Sequence, residues 1–275
     1  MSSQAVRRLP GLARQWLPLL PFAGYVGIFL VVPSVTVLVN AFIVDGSPSS
    51  ANVGALFSGT ALAALGRSLL LSLASALLGA VFGAVLAWLI VAARPESAVR
   101  RAGLALCGVL AQFGGVALAF AFMATFGVLG LAGGFLYGMP GLILVYTYFQ
   151  IPLMVVVFLP ALDGLRRQWR EAAVGLGASE WQYWREVAVP ILWPVFLGST
   201  LLLFANAFAA YATAAALVTQ GSPIVPLLIR SALTSEVLLG QTGLAYALAC
   251  EMIVVVAAVM FGYARLVRRT ARWLS

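Results

Sequence analysis

Side chains that could act in catalysis are few in this sequence, and they are widely scattered. The chain has no lysine and no histidine, so all sixteen cationic residues are arginine, and the eight acidic residues form no cluster with metal-ligand spacing. Without lysine there is no G-x-x-x-x-G-K-[ST] phosphate loop, and without histidine there is no zincin motif and no Ser/His/Asp triad. The sequence therefore predicts no enzyme and no cofactor, and any nucleotide hydrolysis must belong to another chain.

Isolated polar side chains inside apolar stretches are candidates for solute binding within a membrane. Gln112, Gln150, Asn206 and Glu251 each interrupt a predicted membrane helix. At a rise of about 1.5 Å per residue, they lie roughly 15 to 23 Å below the outer ends of their helices. Tyr211 follows Asn206 by a little more than one turn. These five residues are the candidate solute path.

Each of these polar residues also has a purely structural interpretation. An intramembrane carboxylate is costly, so Glu251 either binds a cationic solute or is protonated or paired inside the bundle. Asn206 either contacts solute or hydrogen-bonds between helices packed by small residues. The alanines and glycines of the third and fifth predicted spans suit close packing or a movable seam.

The elements that carry these residues are membrane helices. The chain is 63% hydrophobic and only 9% charged, with a mean hydropathy of +1.05, which is typical of integral membrane proteins. About 20 apolar residues are needed to cross the hydrocarbon core. Six stretches qualify, and together they predict an all-α protein with six spans: 17–44, 68–93, 102–127, 140–161, 190–218 and 242–264.

The arginines fall on alternate sides of these spans. Fourteen of the sixteen lie before the first span, after the sixth, or in the loops that join spans two to three and four to five, and only Arg67 and Arg230 lie on the other side. The positive-inside rule therefore places both termini and the loop at 162–189 in the cytoplasm. This distribution also explains the net charge of +8 without a nucleic-acid partner.

The chain divides accordingly into a cytoplasmic segment 1–16, a permeation domain 17–264 and a basic tail 265–275. The first apolar run is too long for a signal peptide and no A-x-A-like site follows it, which indicates a retained span. On the outer side, we expect a loop of small residues at 45–66. A short half-apolar helix is predicted within 219–241.

The loop at 162–189 is the one long stretch that does not have membrane composition. Good helix formers at 166–176 are followed by Gly177, a natural helix stop. Ser179 with Gln182 three residues later forms a capping box that starts a second helix. The sequence therefore predicts a helix, a turn and a helix.

The second of these helices carries two tryptophans. Trp181, Trp184 and Ala188 follow the i, i+3, i+7 spacing of one helix face. Pro190 is expected to force Val189 out of helical geometry and to open the fifth span. The tryptophans either anchor the helix at lipid headgroup level or insert into a groove of a soluble partner.

Seven residues of this loop resemble the EAA loop of permease subunits in binding-protein-dependent ABC importers. That pattern is E-A-A-x3-G-x9-I-x-L-P, and every spacing is met here, with valine in place of the isoleucine and the leucine. The loop also lies between the fourth and fifth of six spans, as in that family. The matching residues are Glu171, Ala172, Ala173, Gly177, Val187, Val189 and Pro190.

The resemblance implies that this loop is a coupling helix seated in a groove of a cytoplasmic ATPase. Glu171 would be the polar contact to the ATPase and Gly177 the bend between the two helices, while Trp181 and Trp184 would be knobs or lipid anchors. The implied partners are two ATPase subunits, a second permease that is identical or related, an extracytoplasmic solute-binding protein and membrane lipid. The implied location is a prokaryotic cytoplasmic membrane.

Among the branches of that family, the length of the chain favours the short permeases, which are those for polyamines, phosphonates, iron, thiamine or inorganic anions. Glu251 favours, weakly, a polyamine-like cation as solute. An ion-coupled carrier that uses Glu251 is the main alternative, and it predicts transport insensitive to ATP depletion. A membrane scaffold, whose tryptophan helix recruits a cytoplasmic protein, predicts no transport at all.

Overall fold

The computed structural model describes residues 19–44, 46–94, 96–127, 133–217, 223–234 and 242–271, and within them the chain is almost entirely helical. One small hairpin pairs β1 (Ile43–Val44) with β2 (Ser47–Pro48). The helices, in chain order, are α1 Leu20–Asn40, α2 Ala51–Ala55, α3 Gly59–Ala92, α4 Ala98–Gln112, α5 Gly115–Gly127, α6 Gly133–Leu136, α7 Met139–Asp163, α8 Arg167–Gly175, α9 Glu180–Ala209, α10 Ala212–Leu217, α11 Val225–Thr234 and α12 Thr242–Ala271.

The membrane-spanning helices agree with the predicted class. Within the described residues, α1, α3, α7, α9 and α12 are each long and apolar enough to cross a bilayer. Helices α4 and α5 pass the same test only as a pair, and they are bent by 100°. The prediction of an all-α integral membrane protein is confirmed, with five spans or, if the bent pair is one span, six.

The third predicted span, 102–127, is not one continuous helix. Helix α4 ends at Gln112, and Gly115 opens α5 with φ of 69°, a left-handed conformation that favours glycine. The apolar run continues without a charge or a proline, so hydropathy alone does not reveal this break. The predicted third span is therefore a pair of helices with a break, and it counts as one span only if the bent pair is taken together.

The fifth predicted span, 190–218, is wrong at both ends. Val189 is helical, with φ of −61° and ψ of −46°, and α9 runs without interruption from the loop into the membrane. A wide π-helical turn, Trp184–Ala188, ends two residues before Pro190 and makes room for the proline ring, which otherwise crowds the preceding turn. At the other end, Ala210 and Tyr211 separate α9 from α10.

The outer segments also differ from expectation. The predicted loop 45–66 contains β2, α2 and the first two turns of α3. Helix α3 begins early because the Ser58 hydroxyl accepts a hydrogen bond from the Ala61 N–H at 3.3 Å. The short helix expected within 219–241 is present as α11.

The centre of the bundle is the contact between α3 and α7. A Cβ atom at Gly79 would lie 2.5 Å from Gln150 Cβ, and one at Gly83 would lie 2.5 Å from Met154 Cβ. These two glycines form a G-x-x-x-G pair, which allows helices to approach closely in membranes. A close-packed seam therefore joins spans two and four, which the small-residue content of spans three and five did not indicate.

Two further contacts show how α9 and α12 pack in the bundle. Leu203 of α9 packs above Gly79, with its Cδ2 atom 3.3 Å from the position of a Cβ there. The Tyr263 hydroxyl of α12 donates to the Pro194 carbonyl at 3.0 Å. The carboxyl-terminal half of α12 therefore lies beside the start of the intramembrane part of α9, at the same end of the bundle as the arginine-bearing loops.

Candidate functional site

The arginine-rich end of the bundle is held together by an ion pair between two connections. Arg100, in the first turn of α4, donates from Nη2 to Asp163 Oδ1 at 2.7 Å, where α7 ends. The Arg100 side chain is only 15% exposed, so this pair is shielded from solvent on one side. The pair fixes the point from which the predicted coupling loop leaves α7.

The loop itself folds as the predicted helix, turn and helix. Gly177 takes φ of 83° after α8, and the Ala178 N–H bonds back to the Ala173 carbonyl at 3.0 Å. The capping box is present: the Ser179 hydroxyl accepts from the Gln182 N–H at 3.3 Å, and Gln182 Oε1 accepts from the Ser179 N–H at 2.7 Å. Local sequence rules predicted this turn correctly.

A second ion pair ties the two loop helices to each other. Arg170 of α8 donates from Nε to both carboxylate oxygens of Glu180, at 2.9 and 3.1 Å, at the start of α9. The hydrogen bond and charge of Glu180 raise the pKa of Arg170, which keeps this guanidinium charged. The pair links the two helices on the exposed side of the loop, and sequence spacing alone did not indicate it.

The motif residues present a mixed surface on α8. The Glu171 side chain is 62% exposed, and among the described residues it pairs only with Arg167, one turn earlier, at 2.9 Å. Ala172 is exposed and Ala173 half-buried. Leu176, at the end of α8, is 89% exposed. A carboxylate beside exposed apolar side chains is the surface that a protein partner can cover.

The two tryptophans do not share one surface. Trp181 is 71% exposed. Trp184, by contrast, packs against the buried core formed mainly by α3, α7 and α9, and Ala188 is fully buried. Tyr183, which the sequence did not single out, is buried and meets Trp184 edge to face at 6.1 Å. The predicted stripe is therefore divided, with Trp181 in solvent and Trp184 and Ala188 on the core side.

Removing the capping box should loosen the start of α9 selectively. We expect Ser179→Ala to cost about 1 kcal/mol of local stability, because the Gln182 N–H loses its acceptor. Hydrogen exchange of the amides at 180–183 should accelerate, while those of α8 stay unchanged. Ser231→Ala is a matched control, since that hydroxyl bonds a carbonyl within α11 and caps no helix.

The predicted solute-path residues have different environments. Gln150 is fully buried between α7 and α3, where its Nε2 donates to Ser75 Oγ at 3.3 Å and its Oε1 has no partner among the described residues. Asn206 and Gln112 are exposed on the surface of the single chain. Glu251 is half-buried, and its Oε2 is enclosed without a hydrogen-bond partner in the described part of the chain.

Three of these residues lie at similar levels along the bundle. Gln150 and Leu203 both lie close to Gly79, so they are at the same level along the bundle. Asn206 is three residues further along α9, about 5 Å away along the helix axis. Glu251 precedes Tyr263 by twelve residues and Asn206 follows Pro194 by twelve, so the antiparallel helices bring them to one level.

Two helix breaks meet on the outer side of that level. The Thr213 hydroxyl of α10 donates to the Gly115 carbonyl of α5 at 3.2 Å. The Tyr146 hydroxyl of α7 donates to the Ala210 carbonyl at 2.7 Å, in the break between α9 and α10. Side chains from other helices thus satisfy carbonyls at the breaks, as membrane-embedded irregular backbone requires.

Tyr211 and Gln112 lie beside these breaks. The guanidinium carbon of Arg230 on α11 sits 5.8 Å from the centre of the Tyr211 ring, within cation–π range. Gln112 is the last residue of α4, directly before the break between α4 and α5. The structure thus brings Gln112, Tyr211 and Arg230 to the two breaks, while Asn206 and Glu251 lie deeper. A double break of this kind is not visible in hydropathy, although the two glycines at 114–115 are a weak signal for it.

No group of three or more cysteine or acidic side chains with metal-site geometry occurs in the ranges the structure describes. The site is built instead from hydrogen-bonding groups, three ion pairs and exposed apolar surface.

Comparison with known proteins gives consistent results. Residues 19–272 match the family described as "Binding-protein-dependent transport system inner membrane component". The sulfate transport system permease protein CysW of Escherichia coli strain K12 is 30% identical over 181 residues, covering 62% of this chain and 60% of CysW. The aligned part thus spans about 60% of the length of that relative.

Solved structures show the same fold at lower identity. The crystal structure of a bacterial ABC transporter involved in the import of alginate matches with a TM-score of 0.75 at 18% identity, over 94% of this chain and 97% of the other. An inward-facing structure of the MetNI methionine ABC transporter matches with a TM-score of 0.59 at 18% identity, over 78% of this chain and 99% of the other.

The family match covers nearly the whole chain, and its members are transport components of the inner membrane rather than enzymes. This agrees with the predicted class, with the multi-pass helices and with the predicted location in the cytoplasmic membrane. The chain belongs to the family of inner-membrane components of binding-protein-dependent transport systems.

Proposed function

We propose that this chain is the permease subunit of an ATP-driven ABC importer, which passes a small solute from an extracytoplasmic binding protein through the membrane by alternating access. In this assembly it pairs with a second permease, identical or related, and with two ATPase subunits, and it hydrolyses nothing itself. The observation that carries the proposal is a family match over nearly the whole chain, joined to a helix–turn–helix loop with the EAA spacing.

The geometry of the loop supports a lever mechanism. Helix α9 is continuous over 30 residues, or about 45 Å, from the exposed loop to the outer break. Because Arg170 and Glu180 tie α8 to the start of α9, a displacement of α8 by the ATPase moves α9 with it. The shielded pair of Arg100 with Asp163 keeps the end of α7 and the start of α4 together during this motion.

This lever ends where the candidate solute path begins. Asn206 lies near the outer end of α9, and the break at Ala210 follows it. A rotation of α9 therefore changes what Asn206 faces and shifts the two breaks relative to each other. This is the class of motion that exposes a site alternately to the two sides of a membrane. The ion-coupled carrier offers no role for an exposed EAA loop, and the scaffold offers none for the double break.

Gentle purification of the tagged protein from native membranes tests the assembly. We expect a phosphate-loop ATPase to copurify, and mass spectrometry identifies it. A double variant, Glu171→Ala with Gly177→Pro, should lose the ATPase but keep the helical spans. Recovery of the chain alone, with transport that survives ATP depletion, would favour an ion-coupled carrier centred on Glu251.

For the solute, we propose a small oxyanion. CysW is named as a sulfate permease protein, and here Arg230 places a guanidinium beside Tyr211 at the paired breaks. Guanidinium groups bind oxyanions with bidentate hydrogen bonds. The weak preference for polyamine-like cations rested on Glu251 alone.

Neutralising Arg230 should therefore slow uptake. We expect Arg230→Gln to lower the rate of oxyanion uptake about tenfold in a reconstituted transporter, the effect of losing one hydrogen bond to a charged group. Arg230→Lys keeps the charge and should restore part of the rate. Uptake of radiolabelled sulfate, and of putrescine in parallel, provides the measurement. Putrescine uptake that falls with Glu251→Gln and ignores Arg230→Gln would support the cation instead.

A further inference from the structure

An open cavity lies at the arginine-rich end of the bundle, between the membrane helices and the loop. Its volume is about 650 Å³, and it is bounded by the ends of α3 and α7, by α8 and by the start of α9. The side chains of the loop ion pairs leave this space open, and the transport mechanism proposed above gives it no role. Its size is that of a small-molecule site rather than of a packing defect.

The membrane side of the cavity is apolar. Trp88, Val91 and Ala92, from the last turns of α3, form one part of this wall, and Leu162 and Leu165 at the end of α7 form another. Trp88 is 46% exposed. Tryptophan is enriched at the membrane–water interface, where an indole ring meets both lipid and headgroups. The wall therefore lies at the depth where acyl chains join headgroups.

The opposite side of the cavity is basic. Arg166, Arg167 and Arg170 line it together with Glu180. Arg170 is paired with Glu180 and Arg167 with Glu171. Arg166 has no carboxylate partner in the described residues, and its guanidinium carbon lies 6.0 Å from the Trp169 ring centre. The rim therefore keeps net positive charge after its internal pairs are counted.

An apolar wall beside a basic rim, at the level of the membrane surface, matches one class of ligand. A phosphodiester anion satisfies the guanidinium groups, and the first carbons of its acyl chains cover the tryptophan and the leucines. A free phosphate would leave the apolar wall exposed to water. A zwitterionic lipid would bring a cationic group to an already positive rim.

We propose that this cavity binds an anionic phospholipid, with its phosphate on Arg166 and on the outward-facing edges of Arg167 and Arg170. A lipid held there bridges the ends of α3 and α7 to the loop helices, which no ion pair among the described residues joins. Lipid binding needs only this surface and a membrane beside it, so it stands apart from the proposed transport cycle.

Native mass spectrometry of the purified complex tests this site. Protein from nanodiscs that contain phosphatidylglycerol and phosphatidylcholine should retain phosphatidylglycerol selectively. Arg166→Gln should weaken that retention about fivefold, the effect of one basic residue near an anionic membrane surface. Ala92→Trp should weaken it as well, because it fills the cavity from its apolar side without changing charge. Glycerol phosphate, which lacks acyl chains, should not compete.

Arg265→Gln is the matched control. Arg265 lies near the same end of the bundle but on α12, packed over Phe261 at 5.3 Å, and it does not line the cavity. Equal loss of phosphatidylglycerol in Arg166→Gln and Arg265→Gln would reduce the effect to diffuse surface charge and overturn the site. The site would also be overturned by full retention of phosphatidylglycerol in Ala92→Trp or by competition from glycerol phosphate. Exclusion of the lipid by an acidic segment of a bound protein would overturn it as well.

Discussion

Replacing Glu171 by alanine is expected to abolish most solute transport while the membrane domain stays folded. The carboxylate is exposed on α8, and its only partner among the described residues is Arg167, also exposed. Such surface pairs contribute little to stability. Its proposed value lies in a charged hydrogen bond to the ATPase, and loss of one such bond weakens association about tenfold or more. We expect transport to fall by about that factor and ATP hydrolysis to become independent of solute.

Glu186→Ala is the matched control for that experiment. Glu186 is an exposed acid in the first turns of α9 and lies outside the motif. The two variants therefore remove the same charge from the same loop. Uptake and solute-stimulated ATP hydrolysis should be close to wild type in Glu186→Ala and lost in Glu171→Ala. Normal coupled transport in Glu171→Ala, or an equal loss in both variants, would contradict the assigned role.

Local rules made the loop predictable from sequence. The capping box at Ser179 and the left-handed Gly177 depend on residues within four positions of each other, and both are found as expected. The positions of the breaks depend on other helices. Ala210 can leave helical geometry because Tyr146, more than sixty residues away, donates to its carbonyl. The apolar sequence around a break does not indicate which distant residue will hydrogen-bond to it.

The failure at Pro190 has a different origin. The rule that a proline moves the preceding residue out of helical geometry is a statistical preference, and the wide turn at Trp184–Ala188 overrides it here. The consequence concerns function rather than fold. Because α9 runs from the second loop helix into the fifth span without a break, we expect these two parts to move as one lever, where the sequence had indicated two elements.

The sequence contains the G-x-x-x-G pair of the seam between α3 and α7. From sequence alone, however, this pair could not be distinguished from the other small residues as the site of a close helix contact. Alanine and glycine are abundant in several spans, so their content alone does not select an interface. What distinguishes Gly79 and Gly83 is the partner helix, which comes within the distance that a side chain would occupy. That information belongs to the packed structure.

Adding one methyl group to this seam should therefore destabilise the bundle. A Cβ at Gly83 would lie 2.5 Å from Met154 Cβ and 2.7 Å from the Ile151 carbonyl oxygen, so backbone must shift. We expect Gly83→Ala to cost about 1–3 kcal/mol and to lower the thermal unfolding midpoint in detergent. Gly66→Ala, on the same helix with no atom within 4 Å, should be neutral or stabilising, because alanine favours helix by about 1 kcal/mol. Equal midpoints for the two variants would show that α3 and α7 do not pack this closely.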